Sequence, residues 1–197
     1  QLKALGIVGD SDEKRRAAVD IGISRLVQMQ RDNGGFALWD KNGPEEYWLT
    51  AYVMDFLVRA NEQGYSVPVE VINRGNERLL RYLQDPGMMS IRYTDDSSAS
   101  RFAVQAYAAL VLAHQQKAPL GALREIWERR AQAASGLPLL QLGIALKNMG
   151  DANRSEQALT LALNTPRRDT QQWMADYGSA LRDNALMLAL LEENKIK

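Results

Sequence analysis

The feature that most constrains this chain is an alternation between two kinds of helical segment. Glycine and proline punctuate the sequence every 15 to 25 residues or so, and apolar residues recur at helical spacing between them. That pattern predicts eight helices, over 12–30, 45–63, 68–84, 98–117, 119–134, 137–149, 151–164 and 178–194. One kind is amphipathic. In 68–84, Val69, Ile72, Leu79, Leu80 and Leu83 form a stripe, and Glu70, Arg74, Glu77, Arg78 and Arg81 lie off it. In 151–164, Ala158, Leu159 and Ala162 oppose Arg154, Glu156 and Gln157. The other kind is apolar nearly all round, as in 49–54, 103–113, 137–146 and 185–191. A helix without a polar face must be covered on several sides, and an amphipathic one on a single side. Four of each in alternation imply an inner and an outer layer. The expected fold is therefore all-α, an α/α toroid or barrel of about four hairpins in a single domain over 1–197, not an up-down bundle in which every helix is amphipathic.

A repeat supports the two layers. Trp39 precedes Ala51, Tyr93 precedes Ala106 and Trp173 precedes Ala185, at offsets of 12, 13 and 12 residues. Each aromatic stands in a polar connection ahead of an apolar helix, the self-similarity expected of a repeat architecture. The inner helix at 137–149 follows its partner through Ser135-Gly136 and lacks this loop. Strand signals are confined to 36–39 and 88–93.

Composition narrows the function. The 24 Lys+Arg balance 24 Asp+Glu, without the basic excess of a nucleic-acid surface. The one dense basic run, Lys14-Arg15-Arg16, reads as a solvated helix face. There is no cysteine, hence no thiolate chemistry, and the single histidine, His114, cannot supply a His-rich metal site. It reads as a helix-end or surface residue. No apolar run reaches the ~20 residues of a membrane span. The start at Gln1, without Met, reads as a piece of a longer polypeptide.

Three clusters are candidates for chemistry. In Gln30-Arg31-Asp32-Asn33-Gly34-Gly35-Phe36-Ala37-Leu38-Trp39, the glycines suit a tight turn, Phe36 and Trp39 can plug the end of the barrel, and Gln30 can cap backbone groups. Ligand stacking on Trp39 is the sharper alternative; no Lys-Ser/Thr follows to make a phosphate loop. Tyr93-Thr94-Asp95-Asp96-Ser97-Ser98 stands before a helix, where Asp and Ser cap N–H groups. Tyr177-Gly178-Ser179-Ala180-Leu181-Arg182-Asp183 opens the last helix, with Ser179 as cap and Arg182 and Asp183 paired to neighbouring loops. A serine nucleophile does not fit, for want of a Gly-x-Ser-x-Gly elbow and a linked histidine. Leu142-Gly143-Ile144-Ala145-Leu146 with Ala158 has the small-residue pattern of a tetratricopeptide hairpin but does not recur at that family's period.

With Gly34-Gly35-Phe36 to Trp39 and then Tyr47-Trp48-Leu49-Thr50-Ala51-Tyr52-Val53, the chain resembles the thioester domain of alpha-2-macroglobulins and complement proteins. The segments 177–188 and 146–151 resemble the bacterial branch. The resemblance implies a toroid of about six hairpins and a Cys-x-x-Gln thioester lying before Gln1. It implies a trap in which a bait cut by an endopeptidase exposes the thioester, which then acylates an amine. It further implies a periplasmic, lipid-anchored parent at the inner membrane, and as partners target endopeptidases, neighbouring domains of the same polypeptide and a peptidoglycan synthase of the penicillin-binding class. No cofactor, metal, nucleic acid or small-molecule substrate is expected, and no enzymatic activity. The interface or barrel-end candidates are Phe36, Trp39, Tyr47, Trp48, Trp173 and Tyr177. Complement-type members carry a His before a later inner helix. The segment 91–98 has none, which implies amine-directed coupling. The Gln30-to-Phe36 stretch is also similar to α/α-toroid terpene cyclases, although Tyr93-Thr94-Asp95-Asp96 lacks the first Asp of their acid motif. A peptide-binding helical scaffold is the other alternative.

Overall fold

The computed structural model describes residues 11–91, 97–167 and 177–196. Eight α-helices account for nearly all its regular structure: α1 (Asp12–Met29), α2 (Tyr47–Glu62), α3 (Val69–Gln84), α4 (Ser98–His114), α5 (Leu120–Glu128), α6 (Gly136–Asn148), α7 (Ala152–Leu163) and α8 (Ala180–Glu193). Their boundaries follow local chemistry. Ser11, Asp151 and Ser179 accept the free N–H groups of Lys14, Arg154 and Arg182 at the starts of α1, α7 and α8. Pro68 and Pro119 stand immediately before α3 and α5. Gly150, at φ +88°, ends α6 in the left-handed conformation, and the Asp151 N–H returns to the Leu146 carbonyl at 2.8 Å.

The two layers are present. α2, α4, α6 and α8 pack in succession as an inner row, with α3, α5 and α7 against them on the outside. The apolar character of α4 and α6 has the expected consequence. From Phe102 to Ala113 and from Gly136 to Leu146 every residue is buried. One core runs from Ile23 and Phe36 through Met54, Tyr82, Phe102, Leu123 and Ile144 to Leu190.

α6 and α7 pack closely where Gly143 faces α7. A Cβ there would lie 3.1 Å from both Ala158 Cβ and Leu159 Cδ2. Gly143→Val is expected to cost about 1–3 kcal/mol by overpacking, seen as a lower midpoint in urea unfolding. An unchanged midpoint would show that the pair can move apart freely.

Some expectations are corrected. The helix expected over 119–134 stops at Glu128, and a 3-10 turn, Arg130–Gln132, carries the chain onward. The weak strand signal at 36–39 corresponds to isolated bridges, Gln30 to Phe36 and Ala37 to Glu45. Residues 88–91 form no strand; a 3-10 turn, Pro86–Met88, opens this stretch, and 92–93 lie outside the described residues. α8 is not covered all round, since only Asp183 and Leu190 are buried while Leu181 and Leu188 are 81% and 68% exposed. Its apolar composition therefore marks a helix that buries one side and leaves apolar groups bare on the other.

Candidate functional site: the inner-helix mouth

The described residues at the entries to α2 and α8 meet through Glu46, Trp48 and Tyr177. The turn after α1 is built first. Gln30 Nε2 donates to Gly34 O at 3.2 Å and to Val71 O at 2.9 Å, and its Oε1 accepts from Arg74 Nη2 at 2.8 Å. The turn is thereby tied to α3. Gly34 sits at φ +87°, and a Cβ there would collide with the Arg74 carbonyl oxygen. Phe36 is sealed in the core; its N–H donates to Thr50 Oγ1 at 2.9 Å and its carbonyl accepts from Glu46 N at 2.9 Å.

Beside Gly35 lies a buried carboxylate that the sequence reading did not single out. Glu45 accepts from Arg78 Nε at 2.8 Å and from Asn33 Nδ2 at 3.0 Å, and also meets Arg78 Nη2 and the Tyr82 hydroxyl. A Cβ on Gly35 would strike this carboxylate. Burial, then the Glu45 charge and hydrogen bond, push the Tyr82 hydroxyl well above its usual pKa and keep it a donor. For Arg78, burial alone would lower the pKa, but the Glu45 hydrogen bond and charge outweigh it, so the guanidinium is held above its ordinary value. Arg78 had been placed on the water-facing side of its helix; its side chain is 15% exposed because that side meets the glycine turn. The signal was present as Arg78 and Tyr82, one turn apart on α3.

At α8, Asp183 is almost wholly buried between Arg167 Nη1 at 2.8 Å and Arg182 Nη2 at 2.7 Å. Arg182 also lies 4.9 Å over the Trp48 ring. Trp48 stacks on Tyr52, with centroids 5.6 Å apart, and meets Tyr107 and Tyr177 at 5.5 and 6.0 Å. Tyr177, at φ +53°, donates to Glu46 Oε2 at 3.4 Å, and burial followed by the Glu46 charge raises its pKa. Tyr47 packs edge-on against Tyr82 at 5.6 Å. Toward the other end of α2, Tyr107 donates to Asp55 Oδ2 at 3.0 Å and Arg59 bridges Asp55 to Glu193 of α8.

Five of the six residues singled out from the sequence are described. Phe36, Tyr47, Trp48 and Tyr177 come together at the entries to α2 and α8. Trp39 does not join them: it is 84% exposed, so its reading as a barrel plug is corrected. The bridge of Ala37 to Glu45 turns the loop outward and carries Trp39 with it. Trp173, Tyr93, Thr94, Asp95 and Asp96 lie outside the described residues. Ser97 stands at the α4 N-cap, but its side chain makes no capping bond. His114 ends α4, 2.9 Å from the Glu62 carboxylate, while Ser179 is occupied in capping α8.

Asp151 shows how charge fixes the hairpins. It accepts from Arg124 Nε at 2.7 Å and caps α7, and the Arg124 bond is the main influence lowering its pKa. A carboxyl with a depressed folded pKa adds stability that is fully present above its unfolded value, about 3.9. That stability is lost as pH falls through the lower folded value. Asp151→Asn is therefore expected to flatten the acid limb of a stability-versus-pH curve while leaving the slope near pH 8 unchanged. An acid limb identical to wild type would remove this role.

Inner and outer helices joined by an elaborated mouth define a class, the all-α proteins of the α/α-toroid type. No family model matches the chain. Alpha-2-macroglobulin of Escherichia coli (strain K12) is 81% identical over 197 residues, which is 100% of this chain and 12% of that protein. Alpha-2-macroglobulin of Xylella fastidiosa (strain Temecula1) is 36% identical over 191 residues, 96% of this chain and 12% of that protein. The crystal structure of native E. coli alpha-2-macroglobulin from domain MG7 to the C-terminus superposes with a TM-score of 0.95 at 80% identity, covering 100% of this chain and 31% of that one. The trypsin-activated E. coli protein gives 0.94 at 81%, and Salmonella alpha-2-macroglobulin reacted with methylamine gives 0.95 at 80%; each covers 100% of this chain and 13% of its own. The chain belongs to the bacterial alpha-2-macroglobulin family and spans about an eighth of the length of the curated relatives it matches. Neither the terpene-cyclase nor the peptide-scaffold alternative is favoured by these likenesses.

Proposed function

We propose that this chain is part of the thioester domain of a protease-trapping alpha-2-macroglobulin, and that it serves as a rigid helical body carried by the trap and not as an enzyme. The observation that carries the reading is the agreement between the Gly34-to-Val53 architecture, with its glycine turn locked to α3 and its Trp48 cluster, and the similarity along this whole chain to a segment of bacterial alpha-2-macroglobulins. Structures of trypsin-activated and porcine elastase-activated E. coli relatives support endopeptidases as targets. A Salmonella relative that reacts with methylamine supports an amine-reactive group in the parent. Together with the absence of histidine from 91–98, this supports coupling to lysine amines. Residence in the periplasm on a lipid anchor, and association with a peptidoglycan synthase of the penicillin-binding class, rest on the family resemblance.

The test is to expose the intact parent polypeptide to trypsin and map the covalent links by mass spectrometry. Amide bonds to trypsin lysines are the expected product. Predominantly ester products, labile to hydroxylamine, would overturn amine-directed coupling.

A further inference from the structure

The connection from α1 to α2 holds two Asn-Gly dipeptides, Asn33-Gly34 and Asn42-Gly43. An asparagine side chain before glycine can react with its own backbone, because no Cβ shields the glycine nitrogen. Asparagine is accordingly one of the thermolabile residues. Both asparagines are exposed, so access to water does not separate them. They differ in how each side chain is held.

Asn33 is held at both ends of its amide. Its Nδ2 donates to Glu45 Oε2 at 3.0 Å, and its Oδ1 accepts from Gly35 N at 3.0 Å. The following peptide is fixed as well. Gly34 N donates to Arg31 O at 2.9 Å, and Gly34 is buried at φ +87° against the Arg74 carbonyl. The Asn42 side chain makes no hydrogen bond among the described residues, although its backbone N–H donates to Asp40 Oδ1 at 2.8 Å. The Gly43 N–H is held by a single bond, to Asp40 O at 3.1 Å.

We propose that Asn42 is a site of spontaneous deamidation, converted with water through a cyclic imide to aspartate and isoaspartate, and that the fold protects Asn33 from the same reaction. The Gly43 nitrogen gives up its proton and attacks Asn42 Cγ. The new N–Cγ bond closes the imide, the Cγ–Nδ2 bond breaks, and ammonia leaves with the proton the nitrogen gave up. Water then opens the ring. Addition at Cγ breaks the new bond and gives aspartate in the original backbone. Addition at the main-chain carbonyl breaks the Asn42–Gly43 peptide bond and sends the chain through Cγ, as isoaspartate. The reaction needs water alone and involves no redox step.

The consequence lies in the turn itself. Isoaspartate inserts a backbone carbon inside the ring that the Gly43-to-Asp40 bond closes, so the turn has to open. Gly43 O is also the acceptor for Arg31 Nη1, and Arg31 Nε is buried without a partner among the described residues. A guanidinium already short of one partner then loses another, which is costly at a buried polar group. Conversion is thus an ageing step that loosens the tie between the end of α1 and the start of α2.

The experiment incubates the intact native parent polypeptide at mildly alkaline pH. It is then denatured, digested with trypsin beside an unincubated sample, and mapped by mass spectrometry with fragmentation that separates isoaspartate from aspartate. Cleavage after Arg31 and Lys41 puts the two asparagines on different peptides. The expected result is conversion at Asn42, with isoaspartate in excess, roughly tenfold or more faster than at Asn33, as two further side-chain hydrogen bonds on Asn33 imply. Incubated in urea, where those bonds are gone, the two sites should convert at like rates. Equal rates in the native protein, or an Asn42 that converts in urea and not in the native chain, would overturn the proposal. A gap that persists in urea would overturn the protection of Asn33 by the fold, and aspartate without isoaspartate would overturn the imide route. Hydrogen exchange over 32–43 compares incubated wild type with incubated Asn42→Gln. Faster exchange in wild type is expected, and equal exchange would overturn the release of Arg31. Trypsin capture enters none of these readouts, so the trap reading stands or falls apart from them.

Discussion

Gly34→Ala is expected to destabilise the fold by about 3 kcal/mol, from two costs acting together. A left-handed backbone at a residue with a Cβ costs roughly 1–2 kcal/mol, and forcing that Cβ against a fixed neighbour adds about 1–3 kcal/mol. The neighbour is the backbone carbonyl of Arg74, inside a helix, and cannot rotate away. The turn also carries the Gln30 and Phe36 hydrogen bonds, so its displacement disturbs α3 and the start of α2 together. Gly22→Ala is the control. It lies in α1 with open space where its Cβ would go, and alanine there should be neutral or stabilise by about 0.5–1 kcal/mol. Urea unfolding of both variants gives the comparison. Equal stabilities would show that the Gly34 turn relaxes without cost.

The second large effect is expected at Asp183. Removing one partner of a buried ion pair costs about 3–5 kcal/mol, because the other charge stays buried and uncompensated. Asp183→Ala would remove the carboxylate, 3% exposed, that both Arg167 and Arg182 meet. The guanidinium of Arg182 retains the Trp48 ring, which places the expected loss near the lower end, about 3 kcal/mol. α8 rests on α6 and reaches α2 through side chains, so the damage should be local. Hydrogen exchange is therefore the sharper readout. The amides of α8 should lose protection while those of α4 and α6 keep theirs. Unchanged exchange in α8 would show that the Asp183 cluster decorates the mouth without holding it.

These two sites mark where a linear pattern reveals the fold and where it stops. The helices were legible because a wholly apolar segment such as 103–113 has no place but an interior, and every residue there is buried. The alternation with amphipathic segments then gave the layers. The Gly34-Gly35 turn and the Ser179 cap were legible because their chemistry is local. Glu45 was not, since its partners Arg78 and Tyr82 come from a helix 33 and 37 residues further on, and charge on an amphipathic helix reads as solvent-facing by default. Trp39 misled for the complementary reason. An aromatic beside a glycine turn suggests a plug, but the bridge of Ala37 to Glu45 sends the loop away from the core. The early end of α5 at Glu128 has no helix-breaking residue to announce it in Arg129-Arg130-Ala131-Gln132. In α8, composition told that the helix is apolar but not how much of it is covered.

On the proposed reading, this rigid helical body belongs to a molecule that captures the protease that cuts it. The most direct measurement mixes the intact parent polypeptide with trypsin and runs the products under denaturing, reducing conditions. The account predicts a new species, heavier than any cleavage fragment, that contains both trypsin and peptides from residues 1–197 or the region joined to them. Cleavage fragments alone, with trypsin recovered free and fully active on protein substrates, would contradict it.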